Sequence, residues 1–245
     1  AEDGIRDPLW SRGLGDVYKR QTLEWISKNM TSVITVDGPS GVGKGTVSEY
    51  LSDQLQWNYL NSGALYRSIA WVAMNDAIEL NDTDGLESAS KNISFSMRDK
   101  KLLIEYKRKV IGSLIYNEEV AKTASKVASN PKVRESIVNI QRLFKKEPGL
   151  VAEGRDMGSV IFPESELKIF LTASIETRAS RRYKQLKDRE FNVSLPALIK
   201  DLDARDKRDK NRENSPLVIP VGAFLIETDD LTIIDVKKNC KTKGK

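Results

Sequence analysis

"VDGPSGVGKGT", residues 36–46, places glycines at 38, 41, 43 and 45 around one proline and one lysine. A stretch so poor in apolar side chains would ordinarily be a surface loop, yet it continues directly from the β-branched run Val33, Ile34, Thr35 and Val36. Beyond it, Val47, Leu51 and Leu55 recur at four-residue steps, the spacing of a helix over residues 45–55. Gly38-x-x-x-x-Gly43-Lys44 between a buried strand and a helix is the arrangement that cradles phosphates. Its glycines let the main chain fold tightly and bring N–H groups against a polyanion, and the opening turn of the helix adds fixed partial positive charge. Gly38, Pro39, Ser40, Gly41, Val42, Gly43, Lys44, Gly45 and Thr46 are therefore the expected triphosphate loop, with Lys44 adding a full charge. Gly45 stands directly after the lysine, where a hydroxyl residue is usual, so the hydroxyl on the metal side falls to Thr46.

The chain around this loop has 245 residues, 39% hydrophobic and 31% charged, which suits one large domain or one domain carrying an insertion. No apolar run approaches the roughly 18 residues that cross a bilayer, and no membrane partner is expected. The single cysteine, Cys240, leaves no internal disulfide and fits a reducing cytoplasm. Histidine is absent, which removes the usual imidazole base and nearly every zinc site. Catalysis would run on Lys, Arg, carboxylates, hydroxyls, main-chain amides or a hard metal ion. A net charge of +5 points to anionic partners, and a small phosphorylated ligand is favoured over nucleic acid because no aromatic–basic interleaving suited to stacking bases is present.

Residues 1–29 carry no sustained period and read as a leader foreign to the fold, with Met30 as a candidate start. Downstream, a short strand is expected at 57–60 and a helix at 64–77, through Leu65, Ile69, Val72 and Ala73. Between 93 and 111 the period changes to two, with a polar "RDKK" turn, which predicts an antiparallel meander inserted into the domain. Helix returns over 120–144, interrupted near Asn130-Pro131. "LVAE" (150–153) and "LKIFLTA" (167–173) are apolar runs of the kind buried in parallel sheets. Two charged helices, 175–186 and 195–212, flank the loop "KDREFNVS", and a last strand at 223–228 precedes a short helix and the tail "KKNCKTKGK". Strand–helix alternation broken by one antiparallel excursion argues for a three-layer α/β domain.

Three more stretches narrow the reading: "NSGALYR" (61–67), "EGRDMGSVIFP" (153–163) and "RDKRDKNR" (205–212). With "GPSGVGKGT" they resemble the bacterial cytidylate kinases, in order and spacing, over about residues 31–235. The resemblance implies a P-loop NTPase fold with a parallel central sheet, an inserted antiparallel monophosphate-binding subdomain and a helical lid. It also implies transfer of the γ-phosphate of ATP, with Mg²⁺, to CMP or dCMP, by a monomer. On that basis the P-loop core spans 30–62 and 145–245, with the lid at about 178–212. The monophosphate region spans 63–144, with its insert at about 87–126.

Residue by residue, the resemblance places Ser62 and Arg67 on the CMP phosphate, and Ser125 and Arg134 on the cytosine edge. Taken without it, the last two would read as solvated helix residues. Arg155 matches a phosphate-binding arginine at the carboxyl edge of the sheet, and Asp156 a carboxylate for the sugar hydroxyls. Glu153 joins Thr46 as an expected magnesium-side residue. Arg205, Asp209 and Arg212 match residues lining the CMP site. Arg178, Arg181 and Arg182 share one helix face, and Arg205, Arg208 and Arg212 another, so both helices are expected to present cations to the triphosphate as a closing lid. Lys44, Arg155, Arg181, Arg182 and Arg212 are the expected catalytic set. Asn61 departs from the aspartate usual at its position, which predicts a weaker hold on magnesium. A kinase for AMP, UMP or shikimate on the same scaffold is the alternative, disfavoured by "GRDMG" together with "RDKRDKNR".

Overall fold

The computed structural model describes residues 32–188, 193–231 and 235. The leader, Met30, part of the loop at 187–194, the tail and Cys240 lie outside the described residues. β1 (Val33–Asp37) runs through the phosphate loop into α1 (Lys44–Leu55), and β2 (Asn58–Asn61) leads into α2 (Ser62–Asn75). α3 (Thr83–Lys91) precedes three antiparallel strands, β3 (Ile93–Arg98), β4 (Lys101–Tyr106) and β5 (Lys109–Val110). α4 (Glu118–Val127) and α5 (Pro131–Leu143) return the chain to β6 (Leu150–Gly154) and a π-helical turn at Met157–Ile161. β7 (Leu167–Thr172), α6 (Ile175–Lys187), α7 (Leu195–Asn211) and β8 (Phe224–Glu227) complete the described fold.

The central sheet has the order β2-β6-β1-β7-β8, parallel throughout. The inner strands β1, β6 and β7 are buried on both faces because each face has its own core. Val33, Leu60, Leu150 and Ala152 pack with Leu65 and Ile69 of α2 on one side. Ile34, Val36, Val151, Ile169 and Leu171 pack with Val47 and Leu51 of α1 on the other. Side chains alternating between two cores are what a three-layer α/β domain requires. α6 and α7 form a small unit of their own around Ala179, Leu186, Leu198 and Leu202.

The expected meander is present, and its register pairs Ile93 with Tyr106, Phe95 with Ile104 and Met97 with Leu102 on one face. Its two tight turns, Asp99-Lys100 and Lys107-Arg108, hold all four residues at positive φ without a glycine, as two-residue hairpin loops of the type I′ kind demand. The first hairpin tip also meets the central sheet, where Tyr59 N–H donates to the Lys100 carbonyl at 2.9 Å beside β2.

Two local features refine the sequence reading. The helix expected over 120–144 is a pair, and Asn130 starts the second by accepting from Lys132 N and Val133 N while Pro131 occupies its first turn. α3 had no counterpart in the sequence reading, being short and interrupted by Gly85. It forms because Asp82 caps it by accepting from Gly85 N at 2.9 Å, and a Cβ at residue 85 would collide with that cap.

Candidate active site

β1 ends in the centre of the sheet, between β6 and β7, where the crevice at the carboxyl edge opens. There Gly38 adopts φ +145, and a Cβ on it would lie 2.2 Å from the Leu171 carbonyl oxygen, so only glycine lets the chain leave β1 past β7. Gly43, at φ +93, is the N-cap of α1 and offers no capping side chain. The opening turn of α1 thus presents its main-chain N–H groups to the cleft, the condition for anion binding.

A cleft of about 840 Å³ opens above this edge. It is lined by Ser40–Val47 of the loop and α1, by Ser62 and Arg67 of α2, and by Ser125 and Arg134 of α4 and α5. Glu153, Arg155 and Asp156 come from the end of β6, Arg181 and Arg182 from α6, and Arg205, Asp209 and Arg212 from α7 and its end. The structure therefore brings the sequence-predicted residues into one place, except for Gly38, Pro39 and Arg178. Gly38 and Pro39 are buried and outside the lining, Pro39 serving instead through its carbonyl, which accepts from Lys44 Nζ at 2.7 Å.

The cleft is crowded with positive charge. Burial holds Lys44 well below its usual pKa, and the neighbouring Arg155 lowers it further, against the pull of Glu153. Arg205 is brought down to about 10 by burial, with Arg155 adding to the effect, and its Nε has no hydrogen-bond partner. Arg212 is lowered by burial and then by Arg134, and its Nη2 is likewise unpartnered, 4.0 Å from Asp156 Oδ1. Buried donors without partners, set among mutually repelling guanidinium groups, describe a site that an oligoanion would complete.

Carboxylates hold these cations in place. Asp156 pairs with Arg134, both nearly fully buried, and Arg134 Nη1 also donates to the Ala128 carbonyl at 3.2 Å. Asp209 accepts from Arg155 Nε at 2.8 Å. Burial would raise the Asp209 pKa, but Arg155 and Arg205 outweigh it and hold the group below its usual value. Asp37, fully buried at the end of β1, accepts from Met157 N at 2.9 Å and Gly158 N at 2.8 Å, and so anchors the turn that follows Arg155 and Asp156.

The lid expectation needs correction at Arg178. It does not share the cleft with Arg181 and Arg182; it is buried and donates to the carbonyls of Ala173 and Ser40, both at 3.1 Å, while pairing with Asp206 at 2.6 Å. It braces α6 against the phosphate loop and α7. Arg181 donates to Thr228, and Arg182 pairs with Glu118 of α4. Arg208 Nε donates to Ser125 Oγ at 3.3 Å, and Lys122 pairs with Asp201 at 2.9 Å, so α4 meets α6 and α7 along one stripe, 118–122–125. Asn61 caps α2 by accepting from Ala64 N at 3.2 Å, a role its amide fills without a charge.

Three tyrosines of the site escaped the sequence reading. Tyr59 donates to Glu153 Oε1 at 2.7 Å, Tyr66 lies under the Arg134 guanidinium with its own hydroxyl unpartnered, and Tyr116 lines the cleft beside Arg67. Tyr66 stands inside the stretch "NSGALYR" without an assigned role, and nothing local marks Tyr59 or Tyr116, each being defined by a neighbour distant in the chain. For magnesium, Thr46 and Glu153 offer one hydroxyl and one carboxylate, with Glu153 lying against the first turn of α1 near Gly45. Among the described residues no cluster of three metal-ligating side chains occurs. Two oxygen donors fit a hard cation that keeps water and takes its other ligands from phosphates.

A phosphate loop on a parallel sheet, facing a second cationic group across one cleft walled by α6 and α7, is the arrangement of a P-loop kinase. The family model for cytidylate kinase matches residues 34–243. The cytidylate kinase of Aeromonas salmonicida (strain A449) is 42% identical over 209 residues, 84% of this chain and 91% of that protein. The cytidylate kinase of Colwellia psychrerythraea (strain 34H / ATCC BAA-681) is 44% identical over 211 residues, 84% and 92%. The chain belongs to the cytidylate kinase family.

Proposed function

We propose that the protein transfers the γ-phosphate of ATP to CMP and dCMP, giving CDP and dCDP. The observation that carries this reading is the pairing, in one cleft, of the phosphate loop around Lys44 with a second cationic group formed by Arg67, Arg155, Arg205 and Arg212. The triphosphate occupies the loop residues Ser40–Thr46. The acceptor phosphate meets Ser62, Arg67 and Arg155, the sugar meets Asp156, and the base meets Ser125 and Arg134. Arg205, Asp209 and Arg212 close that side. The division into a core at 30–62 and 145–245, a lid at about 178–212 and an acceptor region at 63–144 follows the same assignment. A monomer working on free nucleotides in the cytoplasm fits the lone Cys240.

The acceptor phosphate oxygen is ionised near neutral pH, so the reaction requires alignment and charge neutralisation rather than a strong base, in keeping with a chain that has no histidine. Lys44, Arg155, Arg181, Arg182 and Arg212 surround the path between donor and acceptor and offset charge on the migrating group. Arg181 and Arg182 would exchange their present partners, Thr228 and Glu118, for phosphate oxygens. Magnesium, held through Thr46 and Glu153, would supply further neutralisation of the phosphate chain. Lid closure excludes water that would otherwise hydrolyse the donor. The test is ADP release from ATP with CMP, dCMP, UMP and AMP in turn. The reading expects fast release with the cytidine nucleotides, and equal rates with AMP would overturn it.

A further inference from the structure

Among the described residues no carboxylate lies within salt-bridge distance of Arg67. Its guanidinium instead reaches from α2 to the loop between β5 and α4. There Nη1 donates to the Ile115 carbonyl at 3.4 Å, and the guanidinium carbon sits 5.7 Å from the centroid of the Tyr116 ring. These adjacent residues differ in their surroundings. Ile115 is fully buried in the core shared with α2, which makes its carbonyl a fixed point. Tyr116 is 53% exposed and lines the cleft, so its ring adds little to the core. Burial weakens Arg67's hold on its proton, and the neighbouring Arg155 guanidinium weakens it further. Two guanidinium groups thus face one small volume, and the electron-rich face of an aromatic ring offsets their repulsion while fixing the plane of one of them.

We propose that Tyr116 is a positioning residue for the acceptor phosphate: its ring is the platform that keeps Arg67 aimed, beside Arg155, at the place where the phosphate of the acceptor nucleotide docks. The inference rests on the reading of this cleft as an acceptor site. The planar donor fork of arginine binds phosphate oxygens only in a fixed orientation. Without a ring beneath it, Arg67 would have to be ordered by the incoming phosphate itself, and affinity would fall on the acceptor side alone.

The experiment is steady-state kinetics of the full chain, varying CMP at saturating ATP and ATP at saturating CMP. Tyr116→Leu is expected to raise KM for CMP about fivefold, with KM for ATP and kcat within about twofold of wild type. Tyr116→Phe retains the platform and is expected to restore the CMP value. In an Arg67→Ala background, Tyr116→Leu should have no further effect, because the group it positions is gone. Equal increases in KM for both nucleotides, a Phe variant as impaired as Leu, or a full fivefold loss on top of Arg67→Ala would each overturn the proposal. Wild-type turnover of CMP with an unaffected Tyr116→Leu variant removes this inference alone. Absence of CMP turnover by the wild type removes the acceptor reading and this inference with it.

Discussion

Lys44, Asp156 and Asp37 each place an ionisable group where water is scarce, and each makes a different demand on the protein. Lys44 is tied to its own loop through Pro39, so Lys44→Ala should leave the fold standing while kcat drops by about 10²–10³. A circular dichroism melt beside a turnover assay separates the two effects. Asp156 is paired with the buried Arg134, so Asp156→Asn is expected to weaken CMP about tenfold with little change for ATP. Equal losses for both nucleotides would count against its sugar-side role. Burial raises the Asp37 carboxyl from 3.8 to about 7, against the two amide hydrogen bonds it accepts. Because the folded value lies above the unfolded one, the native state binds this proton more tightly. Its stabilising contribution is complete below pH 3.8 and is lost as pH rises toward about 7. Asp37→Asn should remove that slope, on the order of 4 kcal/mol across the interval, from urea denaturation compared at several pH values.

Elements carry the next set of consequences. Asn130 supplies the cap that starts α5, the helix bearing Arg134, so Asn130→Ala should cost about 1 kcal/mol in chemical denaturation and raise KM for CMP rather than ATP. Strands and long helices were legible in the sequence because hydrophobic period and β-branched runs report burial directly: β1, β6 and β7 lie within a residue or two of their expected ends. The phosphate loop was legible because its chemistry is local, needing only the order strand, glycines, lysine and helix. α3 was not, because its cap is a feature of Asp82 and Gly85 rather than of any apolar period. Arg178 was misassigned for a related reason. Helical spacing tells which residues share a face, but whether that face meets solvent, substrate or another helix depends on packing that no single segment contains. Ser125 and Arg134 were placed only by family likeness, and Tyr59, Tyr66 and Tyr116 not at all.

At the scale of the whole molecule, α4 meets α6 and α7 through Glu118 with Arg182, Lys122 with Asp201 and Ser125 with Arg208. The cleft between them concentrates cations of a chain whose net charge is only +5. A phosphorylated ligand should therefore stabilise the fold where its unphosphorylated counterpart does not. CMP at a hundredfold excess over its Kd is expected to add about 2.7 kcal/mol and raise the thermal midpoint, while cytidine at the same concentration leaves it near the ligand-free value. Differential scanning fluorimetry with the two compounds checks this, and equal shifts would argue that the base rather than the phosphate is the main handle. The hairpin tip at Asp99-Lys100, whose carbonyl meets Tyr59, has an effect unconnected with catalysis. It occupies an outward-facing main-chain amide of the edge strand β2, that of Tyr59. Shortening that tip would expose an unguarded flank to intermolecular strand addition, and the trimmed enzyme would be lost to aggregation on storage before any deficit in turnover became visible.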